Sequence, residues 1–127
     1  NWTRHPEFEN GTHMLLDIPD QIDNDPFGYR KFPFIYTHLR TSKAFLWKKL
    51  NRNDLIDPKT KNYFRSASDV AVQLPFMEMC GKSKSHKILD PLLVLNRNNP
   101  ESVATVRIQE QKSNEQYIRS LKPYTRL

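Results

Sequence analysis

A chain of 127 residues, 37% of them hydrophobic, is long enough for one domain at most and can bury only a small core. Three glycines against nine prolines, with no G-x-G-x-x-G or G-x-x-x-x-G-K sequence, exclude the glycine-rich loops that cradle phosphates. The net charge of +6 favours polyanionic partners. The basic residues are nevertheless scattered and form none of the runs that mark a nucleic-acid arm, so the charge reads as a solvated surface and no nucleic-acid partner is expected.

In chain order, residues 1–33 are rich in Pro, Asn, Asp and Gly and predict an extended, loop-rich lead-in that must pack on something else. Two glycosylation sequons, at Asn1 and Asn10, fall in it and read as coincidence. The run Phe32-Pro33-Phe34-Ile35-Tyr36 predicts a short strand or extended stretch. Thr41 is placed to cap a first helix whose apolar face is Ala44, Phe45, Leu46, Trp47 and Leu50. Asp54 to Lys61 reads as a turn or short helix and then a loop. A second helix starts near Ser66 or Ser68, is lined by Ala71, Val72, Leu74, Met77 and Met79, and ends at Gly81. Pro75 in its interior should kink or divide it. Lys87 to Asn96 predicts a strand interrupted at Pro91, and Glu101 to Arg119 a last helix with an i,i+4 pair between Glu115 and Arg119. Strands this few cannot make a self-sufficient sheet, so the pattern predicts half of a larger fold. The absence of an initial methionine agrees with a piece of a longer protein.

Few residues carry chemistry. His5, His13, His38 and His86 lack metal-ligand spacing, and Cys80, the single cysteine, excludes an internal disulfide and reads as core. Asp23-Asn24-Asp25 matches the D-x-D pattern that holds a divalent cation on a sugar nucleotide. The residues before it do not read as a strand, and a turn or capping role fits the two aspartates better. Asp69, in the first turn of an apolar helix, is either a helix-dipole partner or a general base held by a rigid element. Glu78 follows on the same helix and is either solvated or turned to the same cleft. His38 and Arg40 alternate in an extended segment and so point to one side, as an exposed basic edge or as a cation pair for phosphate or carboxylate. No apolar run approaches the roughly 20 residues of a membrane span, which predicts a soluble protein, and the single Cys80 fits a reducing, cytoplasmic compartment.

Several blocks taken in order give a family resemblance. Tyr29 to Phe34, His38-Leu39-Arg40-Thr41, Phe45 to Leu50 and Asp54-Leu55 are similar to bacterial and viral family-2-like glycosyltransferases. Asp69 to Gly81 resembles that group's D-x-A-x-x-x-P-M-L-E-M-A-G block, and Leu89 to Asn96 with Asn99-Pro100 its I-x-x-x-L-Y-V-Y-N-x-x-N-P block. Ile118-Arg119 and Pro123-Tyr124 also fit. Ser42 stands where the pattern has an aromatic, Phe76-Met77 where it has Met-Leu, Cys80 where it has Ala, and Leu95 where it has Tyr.

The resemblance implies an α/β, GT-A-type parent fold, of which this chain would be the helix-rich, acceptor-side C-terminal half with a few short strands. Residues 1–127 would form a single partial domain: a lead-in over 1–33 and the acceptor-side segment over 34–127. It implies glycosyl transfer from a nucleotide sugar to an acceptor hydroxyl, with Asp69 as catalytic base and His38, Arg40, Thr41 and Glu78 binding substrate. The partners implied are a nucleotide sugar, a glycan or other hydroxyl acceptor, and a missing N-terminal nucleotide-binding half or partner chain. That half would hold a Mg or Mn ion, and without it the chain would be inactive. The alternative is a non-catalytic glycan- or protein-binding module of the same ancestry.

Overall fold

The computed structural model describes residues 18–35, 40–86, 100–102 and 106–127. Four α-helices are present among them: α1 (Gly28–Lys31), α2 (Ala44–Trp47), α3 (Ser68–Cys80) and α4 (Ile108–Ser120), joined by 3-10 turns at Asp20–Asn24, Arg52–Leu55 and Lys82–Lys84. The chain is helix-rich, and among the described residues pairing is confined to one isolated antiparallel bridge between Ile56 and Tyr63. The stretch 32–35 is coil without ladder partners, and the strand expected from Lys87 to Asn96 lies outside the described residues.

Helix α3 is the axis around which the rest packs. Val70, Ala71, Leu74 and Met77 join Ile22, Tyr29, Phe64, Ala67 and Ile118 in one cluster. Phe76 and Met79, on another side of the helix, close with Leu46 in a second cluster flanked by Leu50, Val72, Cys80 and Tyr124. A helix apolar on several faces belongs in the interior of a structure, and its neighbours must wrap it. Pro75 does not divide it. One lost N–H is tolerated because the packing on both sides, with Leu74 fully buried, holds the helix together. Gly81 ends the helix as its sequence predicts: its φ is +77°, its N–H donates to the Met77 carbonyl at 2.7 Å, and a Cβ there would collide with the Arg126 side chain.

The first predicted helix is shorter than its apolar pattern. It starts at Ala44 with the extended Lys43 as its N-cap, and Thr41 lies outside it, two residues before Lys43, making no cap. Only Leu46 of α2 is buried, so packing holds one turn and no more. Farther along, α4 begins at Ile108 and buries Asn114 and Ile118. Its expected pair forms, Arg119 Nε donating to Glu115 Oε1 at 2.8 Å, and the same arginine donates to the carbonyls of Arg30 and Phe32, which ties α4 to α1.

A strap closes the fold. Residues 121–127 run back over the C-terminal half of α3, where the Leu127 N–H donates to the Met79 carbonyl at 3.0 Å. The Tyr124 N–H donates to Glu78 Oε2 at 2.9 Å, and its hydroxyl donates to Asp54 Oδ2 at 2.7 Å while accepting the Asn51 N–H at 2.8 Å.

Candidate functional site

The start of α3 is built by an unusual backbone. Ala67 is buried and left-handed, with φ +61°, a conformation that costs a non-glycine residue on the order of 1 kcal/mol. Ser66 does not cap the helix, because its hydroxyl donates to Glu110 Oε1 at 3.0 Å and the Asn114 side-chain amide donates to its carbonyl at 3.2 Å. The bend is thus clamped from α4, and it fixes where the first turn of α3 emerges.

Asp69 stands on that turn. Its Oδ1 accepts the Val70 N–H at 3.0 Å, and its Oδ2 faces Arg40 Nη2 at 3.5 Å, longer than an ordinary N–H···O hydrogen bond. The carboxylate is 42% exposed and the arginine side chain 20%. The Arg40 guanidinium also lies over the Phe34 ring, 5.9 Å from its centroid. Of the residues named from the sequence, Asp69 and Arg40 are therefore brought together. Thr41 follows Arg40 and is exposed, and His38 lies outside the described residues.

Glu78 is elsewhere. Its side chain is 2% exposed and grips Arg30, 3% exposed, through two contacts, Nε to Oε1 at 2.5 Å and Nη2 to Oε2 at 2.9 Å. The third arm of Arg30 donates to the Ile118 carbonyl, and Glu78 Oε2 also takes the Tyr124 N–H. Both charges are paired and hydrogen-bonded in the interior, the condition under which buried charges are tolerated. In this structure Glu78 joins α1, α3, α4 and the C-terminal strap. Sequence reasoning missed Arg30, whose partner lies 48 residues away; the buried glutamate within an apolar helix was the signal that some cation must meet it.

Asp23 and Asp25 are committed to turns and tethers. Asp23 accepts from the Tyr29 hydroxyl at 2.7 Å, from the Lys82 N–H at 3.1 Å and from Arg126. Burial pushes its carboxyl up, but the hydrogen bonds from Tyr29 and Arg126 outweigh that and hold it below the usual range. Asp25 accepts from Lys31 at 2.7 Å and from the Phe27 N–H at 2.8 Å, and these bonds hold its carboxyl low. Oxygens engaged in this way do not fit a divalent cation. Among the described residues no group of three or more His, Cys, Asp or Glu side chains could hold a metal, and no helix is long and apolar enough to cross a membrane. Cys80 is a half-buried free thiol packed beside the second cluster.

One aromatic in the run that follows Arg40 was not foreseen as part of a site. The Trp47 indole N–H donates to Ser42 Oγ at 3.2 Å, and its ring meets Phe76 edge-on, 5.1 Å between centroids. Ser42 thus accepts the hydrogen bond that orients the Trp47 ring. Comparison of the chain with family models, with curated proteins and with solved structures finds no match.

Proposed function

We propose that the chain is the acceptor-side half of a nucleotide-sugar glycosyltransferase of the family-2-like, GT-A type, in which Asp69 is the general base. The carboxylate of Asp69 takes the proton of the acceptor hydroxyl as that oxygen bonds to the anomeric carbon. The sugar's bond to the nucleoside diphosphate breaks, and its electron pair leaves with the diphosphate. The observation that carries the reading is the half-exposed carboxylate on the clamped first turn of α3, facing Arg40 at 3.5 Å.

A separation that long leaves an incoming hydroxyl room to compete with the guanidinium for Oδ2. Arg40, with its planar fork, is suited to the diphosphate or to an acidic acceptor group once displaced. His38 and the exposed Thr41 bind substrate in this reading. A Mg or Mn ion, by neutralising the diphosphate, would assist the leaving group; Asp23 and Asp25 do not fit it, so no step here runs through it. The sheet of a GT-A fold would belong to the donor half. A cytoplasmic setting, where nucleotide sugars are made, goes with the reading.

The test is turnover by the protein extended upstream into its donor half. Sugar-nucleotide hydrolysis and transfer should fall about 100-fold or more in Asp69→Asn, the scale on which a positioned base contributes. A rate equal to wild type in Asp69→Asn, with unchanged helical circular dichroism, overturns the assignment. Glycan binding by a full-length protein that lacks transfer would favour the non-catalytic module.

A further inference from the structure

The run that follows Arg40 has features that the proton transfer does not use. From Thr41 to Asn53 it contains Lys43, Lys48, Lys49 and Arg52 and no acidic residue. Leu46 alone is sealed in, at 3% exposure, whereas Phe45 and Trp47 on either side of it remain 52% and 54% exposed. Trp47 is held on two sides, by Phe76 against its ring and by Ser42 on its N–H, yet half of it meets water. A ring that is fixed, has its polar atom satisfied and stays open adds little to a core. It offers a ligand a large contact surface at low entropic cost.

Its place relative to Asp69 follows from the helix. Phe76 comes seven residues after Asp69 on α3, two turns on, so both sit on one face, about 10 Å apart at 1.5 Å per residue. Arg40 touches the first and Trp47 the second, so residues 40–47 lie along that face from the carboxylate to the indole. The strip starts at the candidate site, carries Arg40 and Lys43 with Lys48 and Lys49 just beyond it in the chain, and ends on an open aromatic.

We propose that this strip, Asp69–Arg40–Ser42–Trp47, is the track on which the acceptor lies, and that the acceptor is an anionic oligosaccharide. The proposal rests on reading Asp69 as the base. The hydroxyl-bearing ring sits at Asp69, a ring farther along the chain lies on the open face of Trp47, and its carboxylates pair with Lys43 and Lys48. Charge complementarity selects an acidic glycan over a neutral one, since a basic run without a single carboxylate attracts anions and offers a neutral sugar only its ring faces. A nucleic acid is the less suited polyanion, because it requires several stacking rings in series where the strip presents one fixed ring.

The test is indole fluorescence of the chain carrying Trp2→Phe, which leaves Trp47 as the one tryptophan of the two. Tetragalacturonate and a hyaluronan tetrasaccharide are the probes. At least one should quench or shift the Trp47 emission saturably, with affinity tenfold weaker in Lys43→Glu/Lys48→Glu and within threefold of unchanged in Lys59→Glu, an exposed charge reversal outside the strip whose amine contacts Ser113 of α4. Silence with both probes overturns the proposal, as does an equal response to maltotetraose or to an eight-residue oligothymidylate. Because binding is read without turnover, the two readings fail separately. A track that binds beside a transfer indifferent to Asp69→Asn removes the base, and a base confirmed by turnover without binding at Trp47 removes the track.

Discussion

Helix α3 carries two carboxylates, and the fold treats them in opposite ways. Glu78, in the half wrapped by α1, α4 and the C-terminal strap, is sealed and meets three donors on Arg30 and Tyr124. Asp69, on the first turn, keeps two-fifths of its side chain in water and meets one long arginine contact. Desolvated charges must be fully paired, so the buried one is spent on architecture. The exposed one is held in place by its backbone and remains able to meet something new. Position along one helix thus separates a structural carboxylate from an available one.

The largest effect should come from breaking the buried pair. Glu78→Ala leaves the Arg30 guanidinium buried and uncompensated and removes the acceptor of the Tyr124 N–H, at a cost of about 3–5 kcal/mol in denaturant unfolding. Arg30→Met/Glu78→Leu should recover only part of that loss, because the Ile118 carbonyl and the Tyr124 N–H stay without partners. A loss below about 1 kcal/mol in Glu78→Ala would erase the contrast between the two ends of the helix.

Next comes the strap. Tyr124→Phe removes the donor to Asp54 and the acceptor of the Asn51 N–H, worth about 1 kcal/mol at neutral pH. Burial, together with the Asp54 carboxylate, pushes the Tyr124 phenol up to about 12 from 10.0. A raised value means that the stabilisation is whole below pH 10 and fades as pH rises from 10 toward 12. Tyr124→Phe should therefore lose less stability than wild type over that window, read as midpoint against pH. Parallel curves for the two proteins would show that the phenol does not anchor the strap.

How much of this was legible in the sequence divides along the same line. The span of α3, its stop at Gly81 and the Glu115–Arg119 pair follow from periodicity, glycine and spacing, which are local signals. The strap, the Arg30–Glu78 pair and the Ser66–Asn114 clamp join residues far apart in sequence, and nothing in a neighbourhood of ten residues encodes them. Thr41 failed as a cap for a related reason, since the length of α2 was decided by how little of it the second cluster could bury. At the candidate site, Asp69 and Arg40 were each visible as residue types, but their meeting was not. Trp47 was visible only as a member of an apolar stripe, and its half-exposure belongs to tertiary packing.

A smaller effect should appear in acid. The carboxyl of Asp23, held below its usual 3.8 by Tyr29 and Arg126 against the opposing push of burial, stabilises the fold above that value and loses its contribution as pH falls through its lowered one. Asp23→Asn should weaken the protein at pH 6 and make its unfolding less sensitive to acid below pH 4. If wild type and variant unfold along the same acid curve, the tether from Asp23 to Arg126 does not hold the chain's end.

The smallest change in stability belongs to the residue on which the functional reading depends. Asp69→Asn removes a negative charge from the first turn of α3, a dipole contribution of about 0.3–1 kcal/mol, and weakens an exposed contact to Arg40 of the kind commonly worth less than about 1 kcal/mol. The asparagine keeps an oxygen for the Val70 N–H, and no buried group loses its partner. Denaturant unfolding should therefore move by about 1 kcal/mol or less, while transfer by the protein with its donor half falls by orders of magnitude. That divergence is what separates an available carboxylate from an architectural one. A loss above about 3 kcal/mol in Asp69→Asn would put it in the same class as Glu78, a group whose removal unmakes the fold. Any drop in transfer would then report unfolding, and the exposed end of α3 would have no claim to a proton.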